Sequence, residues 1–108
     1  MARKDTRRHQ RIPCSFSVLL SWTGPEGSDR YARGTCRDVS EIGLRIDMED
    51  TIPPQTYVYL RIEKWDLTSS ARVRYARRGK AANVIGVELS QKVRQQLLDS
   101  LLEPPPTS

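Results

Sequence analysis

Apolar and polar residues alternate along most of the chain from Cys14 onwards, with the period of two that is typical of half-buried β-strands. In the first run, every second residue from Cys14 to Trp22 falls on one face, and Leu19 is the one apolar residue on the other face. Turn-rich segments such as TGPEGSD separate this run from the later ones. The later runs lie at 31–37, 44–48, 56–63, 66–76 and 84–90. Six short strands at this spacing predict a mostly β fold, a six-stranded antiparallel β-barrel that is closed or nearly closed.

The alternation also predicts which side chains point into the barrel. In the fifth run, the inward face comprises Leu67, Ala71, Val73 and Tyr75. The DVSEIG segment at 38–43 interrupts the alternation, so we expect the second strand to end there.

The apolar period lengthens to that of an α-helix after Ser90, which is a favourable N-cap residue. The apolar stripe of this C-terminal α-helix comprises Val93, Leu97, Leu98, Leu101 and Leu102. A lone amphipathic helix of this length is marginally stable in water, so we expect the stripe to pack on the barrel or on a partner. With a polar, basic N-terminus before Pro13, the chain divides into a flexible basic arm (1–12), one barrel-plus-helix domain (13–103) and a Pro-rich tail (104–108).

Composition narrows the class of partner and of chemistry. The net charge is +5 and 14 of the 18 basic residues are arginine, whose planar fork suits phosphates and guanine edges. No apolar run is long enough to span a membrane, and we expect a cytoplasmic protein. Cys14, Cys36 and a single histidine have no metal-binding or redox spacing, so we expect buried thiols and no metal site. No nucleophile–base–orienter set is evident, so we expect no enzyme activity.

Two short segments carry candidate binding residues. The first, RRHQRIPCS at 7–15, offers Arg7, Arg8 and Arg11 just before the first strand. By itself it suits either a basic tail that contacts any polyanion or a pair of arginines that holds one anion.

The second segment, DVSEIG, carries Asp38, Ser40 and Gly43. The simplest interpretation is a turn in which Asp and Ser bond to their own backbone and Gly permits the bend. Alternatively, Asp38 and Ser40, two residues apart in extended backbone, present two polar side chains on one side. Gly43 then marks either a positive φ or a close approach of another group to the backbone.

Taken together, R-x-x-x-R before the first strand and D-x-S-x-x-G between the second and third resemble the paired motifs of the PilZ domain family. The resemblance extends over nearly the whole chain and implies a PilZ-like split barrel in a stand-alone domain. It implies no cofactor and one ligand, cyclic di-GMP, the bis-(3′-5′)-cyclic dimeric GMP second messenger of bacteria. The ligand-binding residues that it implies are Arg7, Arg11, Asp38, Ser40 and Gly43, with Arg8 as a supporting phosphate contact. Arg3 and Arg7 also satisfy R-x-x-x-R, but Arg7 and Arg11 stand directly before the first strand, as the family motif does.

The chemistry of these side chains fits a guanine nucleotide. Arginine pairs bidentately with guanine O6 and N7, and Asp38 can accept from guanine N1–H and N2–H₂, which adenine lacks. Ser40 can bond a base edge or a phosphate, and Gly43 would let the ligand or the arm approach the backbone. We hypothesise that the dianionic ligand orders the self-repelling basic arm and that a downstream protein reads the ordered surface.

Other functions fit parts of the same sequence. A small basic barrel can bind RNA or single-stranded DNA, for which Tyr57, Tyr59, Arg72 and Arg74 would be the candidate contacts. A PilZ-like domain can also act as an interaction module without a nucleotide. We expect a monomer or weak dimer that binds no membrane, and the resemblance leaves the regulated process, such as motility or biofilm formation, open.

Overall fold

The computed structural model describes residues 11–102 of the chain. These residues form six strands and one α-helix: β1 (Arg11–Thr23), β2 (Asp29–Ser40), β3 (Gly43–Met48), β4 (Tyr57–Ile62), β5 (Leu67–Arg78), β6 (Asn83–Leu89) and α1 (Gln91–Leu102). The strands pair antiparallel in the order β1–β2–β3–β6–β5–β4, and β4 pairs back with β1, which closes the barrel. The predicted six-stranded antiparallel barrel with a C-terminal helix is therefore confirmed.

The barrel interior is filled by the alternating apolar residues that the sequence indicated. The best-buried side chains include Val18, Leu20, Ile46, Leu60, Ile62, Val73 and Ile85. Because six strands enclose only enough space for side chains, this interior is a packed core rather than a ligand cavity. Any ligand must therefore bind on the outer wall or at a rim.

The helix covers part of this core. The Ser90 hydroxyl accepts a hydrogen bond from the backbone N–H of Val93 at 3.3 Å, which is the predicted N-cap. Leu97 is fully buried in the main apolar cluster, and Val93, Leu98 and Leu101 pack against that cluster. These four residues of the predicted apolar stripe thus pack on the barrel. Within residues 11–102, no helix combines the length and the apolar character needed to cross a membrane.

β1 begins before the limit that the alternation predicted. β1 includes Arg11 and Ile12, which the sequence assigned to the arm, because they pair with Ser40 and Val39 of β2. Pro13 is tolerated within β1 because β4 pairs with β1 only farther along, at Val18–Ser21. Residues 1–10 and 103–108, including most of the predicted arm and the whole predicted tail, lie outside the described residues.

The second strand does not end at Asp38. β2 continues through Asp38, Val39 and Ser40, and the interrupted alternation arises from a register shift inside the strand rather than from its end. The segment from Asp38 to Arg45 therefore consists of two paired strands joined by a tight turn, and it is not an open loop.

Candidate functional site

A register shift in β2 turns the Asp38 side chain out of the barrel. Gly34 and Cys36 are buried on the inward face of β2, so strict alternation would point Asp38 inward as well. Relative to β3, the strand has one extra residue between Cys36 and Asp38, so that Val39 takes the inward position opposite Leu44. Asp38 is thereby placed opposite Arg45, on the outer face. The bulge keeps the carboxylate out of the apolar core and places it on the outer wall of the barrel.

A second register shift changes the face of the sheet on which the Tyr75 side chain lies. Relative to β6, β5 has an extra residue between Val73 and Tyr75, which places Tyr75 on the outer face opposite Gly86. The prediction that Tyr75 lies inward with Val73 is therefore wrong, because the bulge reverses the alternation. The tyrosyl ring lies directly over Gly86, where a side chain would collide with it.

The two shifts align five residues in one row across five neighbouring strands. Each member is the register partner of the next: Pro13, Asp38, Arg45, Gly86 and Tyr75. Every member of the row except Pro13 lines a cleft of about 180 Å³, whose other lining residues include Arg11, Ser40, Gly43 and Arg74. The four motif residues within the described part of the chain thus meet at one cleft.

The Asp38 carboxylate is the most buried charged group of this cleft, and two arginines bind it. Arg11 Nη1 lies 3.1 Å from Oδ1 and Arg45 Nη2 lies 2.7 Å from Oδ2. Asp38 is 5% exposed, whereas the Arg11 side chain is 54% exposed. The two motif segments are therefore joined by an ion pair between residues 27 positions apart. Arg7 and Arg8 lie outside the described residues.

Ser40 and Gly43 shape the turn that follows. The Ser40 hydroxyl accepts from the backbone N–H groups of Ile42 and Gly43, at 3.2 and 3.4 Å, which is the local turn that the simplest sequence interpretation predicted. A Cβ at Gly43 would collide with the backbone carbonyl of Val87 on β6. Of the two reasons expected for this glycine, the structure has the close approach, and the approaching group is a neighbouring strand rather than the arm.

Two charged clusters lie at or beside the cleft, and each consists of one carboxylate bound to two arginines. Arg11 and Arg45 share Asp38, while Arg72 and Arg74 share Glu88, at 2.9 and 3.5 Å. The hydrogen bond from Arg72, with the charges of both arginines, lowers the pKa of Glu88. Each cluster has an excess of one positive charge, so the two together carry (2 − 1) + (2 − 1) = +2. Elsewhere on the wall the described ion pairs join one arginine to one carboxylate: Arg30–Glu26, Arg33–Glu63, Arg37–Asp47 and Arg61–Asp66.

Sequence reasoning did not assign Arg45 and Tyr75 to the site, and it considered Arg74 only as a nucleic-acid contact. Arg45 is the ordinary polar residue of an alternating strand, and Tyr75 occupies what looked like an inward position. Their place in the cleft depends on strand order and on the two bulges, which the local sequence does not encode in a recognisable pattern.

The tyrosines considered for nucleic-acid binding lie on a different part of the wall. Tyr57 and Tyr59 are 72% and 52% exposed, and with Tyr31 they line grooves that share no residue with the Asp38 cleft. Arg61, which borders the same surface, is already paired with Asp66 at 3.2 Å. Tyr57 and Arg72 are register partners that line one groove with Glu88, whereas Arg74 lines the Asp38 cleft.

Across residues 11–102, His, Cys, Asp and Glu side chains nowhere form a group of three that is able to hold a metal ion.

Comparisons with known proteins identify the family and the fold. The family model described as PilZ domain matches residues 5–103. The fold is similar to the crystal structure of the PilZ domain of CeSA from a cellulose-synthesizing bacterium, with 21% identity and a TM-score of 0.64 over 87% of this chain and 99% of that one. It is also similar to the PilZ domain of YcgR from Escherichia coli, solved with c-di-GMP, with 15% identity and a TM-score of 0.60 over 84% of this chain and 85% of that one. At these identities the likeness shows the fold. No curated protein matches the chain.

The two glycines that border the cleft should differ in what an added methyl group costs. At Gly43 the methyl would meet the backbone of β6, which cannot move without breaking the β3–β6 pairing, so Gly43→Ala should lower the free energy of unfolding by about 2 to 3 kcal/mol. At Gly86 it would meet the Tyr75 ring, which is partly exposed and can rotate away, so Gly86→Ala should cost about 1 kcal/mol or less. Urea denaturation of both variants measures the difference, and equal losses would contradict this account of Gly43.

Proposed function

The chain belongs to the PilZ domain family, and from this premise we propose that it is a receptor for cyclic di-GMP that binds the nucleotide at the Asp38 cleft. The observation that carries the proposal is the ion pair between Arg11 and Asp38, which joins the two motif segments in a cleft on the outer wall. The structurally similar PilZ domain of YcgR, which was solved with c-di-GMP, supports the same ligand class. The protein is proposed to act as a ligand-binding module and not as an enzyme.

The Arg11–Asp38 pair is proposed to open when the ligand binds. Guanine presents two donors, N1–H and N2–H₂, that a carboxylate can accept, while its O6 and N7 accept from an arginine fork. Arg11 is half exposed and can move to a phosphate or to the Hoogsteen edge, which leaves Asp38 Oδ1 free for guanine. Arg45 stays on Oδ2 and keeps the buried carboxylate paired throughout the exchange.

Local charge supports a ligand with two negative charges. The excess of +2 on the Asp38 and Glu88 clusters equals in magnitude the charge of about −2 that two phosphodiesters carry. Two adjacent cationic clusters favour a small dianion, whereas a long polyanion gains most from a basic track along the surface.

The described cleft is smaller than the whole nucleotide. Its volume of about 180 Å³ is below the 300–1,000 Å³ that is typical of small-molecule pockets. We propose that it receives one guanine and that Arg7, with Arg8 in support, contacts the remaining base and phosphates. The match to the family model begins at residue 5, so it includes Arg7 and Arg11 and leaves Arg3 out, which supports the choice of register.

Three described residues join the motif set in this proposal. Arg45 holds Asp38 in place, and Arg74 adds a second guanidinium at the rim of the cleft. Tyr75 presents its ring beside the same cleft, in a position to stack on a purine face.

Removing the arginine fork at residue 11 should weaken cyclic di-GMP binding by about tenfold or more, since charge-assisted bonds contribute roughly 1.5–3 kcal/mol each. Arg11→Lys should weaken the binding of cyclic di-GMP nearly as much as Arg11→Ala, because an ammonium group cannot form the bidentate contacts of a guanidinium. Calorimetric titration with cyclic di-GMP measures both. Arg61→Ala is the matched control, because Arg61 is equally exposed and also ion-paired but lies away from the cleft.

The same titrations test the proposal as a whole. Absence of binding to the wild type would refute it, and full affinity in Arg11→Ala would refute the choice of Arg11. Binding of the wild type to single-stranded RNA that weakens steeply with salt would favour the alternative nucleic-acid function, since each phosphate contact adds to the salt dependence.

Asp38→Asn should reduce the preference for guanine. The amide presents donors toward the donors of guanine, so we expect roughly a 10- to 100-fold loss for cyclic di-GMP. Affinity for cyclic di-AMP should change little, because adenine has no N1–H or 2-amino group to lose a partner. Asp47→Asn, which removes a surface partner of Arg37, is the control. Equal losses for both nucleotides would contradict a base-reading role for Asp38.

Ordering of the N-terminal residues is proposed to relay the signal to a partner protein. If Arg7 and Arg8 close over the ligand, the backbone amides of residues 1–12 should exchange several-fold more slowly at saturating cyclic di-GMP. Hydrogen–deuterium exchange with mass spectrometry measures this, with the peptide covering the β4–β5 strands as the internal reference. Unchanged exchange at residues 1–12 would remove the basis for the relay.

A further inference from the structure

The two cysteines meet immediately below the cleft. Cys14 on β1 and Cys36 on β2 are 22 positions apart in sequence, yet their sulfur atoms lie 3.5 Å apart. They are brought together where β1 has an extra residue relative to β2, between Pro13 and Phe16. Both are free thiols, as the sequence predicted, but only Cys36 is buried, whereas Cys14 is half-buried. Thiols in contact need only a small side-chain movement to form a bond, provided that an oxidant reaches them.

This pair is connected to both halves of the split site. Cys14 follows Arg11 by three residues in β1, and Cys36 precedes Asp38 by two residues in β2. The Cys36 thiol also donates a hydrogen bond to the backbone carbonyl oxygen of Asp38 at 3.4 Å. A covalent change at the sulfurs would therefore act directly on the bulge that presents the Asp38 carboxylate.

We propose that Cys14 and Cys36 are a modification site, oxidised to an intrachain disulfide by a small-molecule disulfide such as oxidised glutathione, and that the disulfide weakens ligand binding at the Asp38 cleft. The second half of this proposal rests on the proposed function. The first half concerns the cysteines alone.

The reaction proceeds in two balanced exchange steps. The Cys14 thiolate attacks one sulfur of the glutathione disulfide, and the displaced glutathione thiolate takes a proton and leaves. The Cys36 thiolate then attacks the Cys14 sulfur of the mixed disulfide and displaces the second glutathione. Two protein thiols and one glutathione disulfide thus become one protein disulfide and two glutathione thiols.

Burial sets the order and the pace of these steps. Cys14 is partly exposed whereas Cys36 is fully buried, so Cys14 is the thiol that an outside oxidant can reach. Burial raises the pKa of the Cys14 thiol, against the hydrogen bond with Cys36, and it raises the pKa of the Cys36 thiol much further. Because the thiolate is the nucleophile, exchange should be slow at neutral pH and should accelerate as pH rises.

The disulfide should disturb the site because its geometry is tighter than the present contact. The sulfurs must approach from 3.5 Å to a bond length of about 2 Å, and the Cys36 proton is lost. The hydrogen bond to the Asp38 carbonyl is lost with it. Asp38 is held to its arginines at 2.7 and 3.1 Å, and displacement of its backbone by a fraction of the sulfur movement would lengthen these contacts. We expect about a fivefold weaker affinity for cyclic di-GMP, which corresponds to about 1 kcal/mol.

The test equilibrates the whole chain with oxidised and reduced glutathione at mildly alkaline pH, blocks the remaining thiols and records the intact mass. The expected product is a monomer that has lost two hydrogens and carries no blocking group. Failure to form it in excess oxidised glutathione, or formation of disulfide-linked dimers or stable mixed disulfides instead, would overturn the modification site. Cys14→Ser, which leaves the buried Cys36 in place, should form no intrachain disulfide.

Calorimetric titration of the oxidised and reduced pools with cyclic di-GMP then tests the coupling. Oxidised wild type should bind about fivefold more weakly than reduced wild type, and Cys14→Ser should bind equally under both conditions. Equal affinity of the two wild-type pools would overturn the coupling. If neither pool binds the nucleotide, the proposed function fails and the coupling with it, while the mass measurement still decides the disulfide.

Discussion

The buried Asp38 carboxylate, held between two arginines on the outer wall, is the interaction on which the rest of the site depends. A carboxylate with so little solvent contact must keep at least one cationic partner, because removing one member of a buried ion pair typically costs about 3–5 kcal/mol. Arg45 meets this need by strand register, since it is the partner of Asp38 in the β2–β3 ladder. Arg11 comes from the start of β1 and is far more exposed. Of the two partners, Arg11 is the one that the site can release without leaving the carboxylate unpaired.

Closure of the barrel explains why Asp38 and its two arginines lie on the outer wall. Six strands leave an interior that apolar side chains fill completely, so the fold has no internal room for a nucleotide. The outer wall of a regular barrel is convex, however, and offers little concavity. The register shifts next to Asp38 and Tyr75 supply it, because they change the local twist and turn a carboxylate and an aromatic ring to the same side of the wall. Gly86, which lies between Arg45 and Tyr75 in the row, leaves the space that the Tyr75 ring occupies.

The sequence predicted the parts of this structure that repeat and missed the parts that break the repeat. Alternation identified the strands and most of the core, and the helical period identified α1, since each pattern recurs over many residues. A bulge changes the parity of a strand at one position and has no period, so the outward turn of Tyr75 and the continuation of β2 through Asp38 were not predicted. Arg45 and the contact between Cys14 and Cys36 were missed for a related reason. Both depend on which strands are neighbours and on their register, and the local sequence does not specify either of these.

Charge shows the same contrast between a total and an arrangement. The net charge of +5 and the excess of arginine suggested a partner with phosphates, yet the total cannot distinguish a nucleotide from a nucleic acid. The arrangement of charge on the barrel wall bears on this choice. The one-to-one ion pairs at Arg30, Arg33, Arg37 and Arg61 add no net charge to the surface they occupy. A local excess of one positive charge lies where two arginines share one carboxylate, at Asp38 and at Glu88. A polyanion gains from charge spread along a track, whereas a compact dianion gains from two adjacent cationic clusters, so these two clusters support the proposal of a nucleotide ligand.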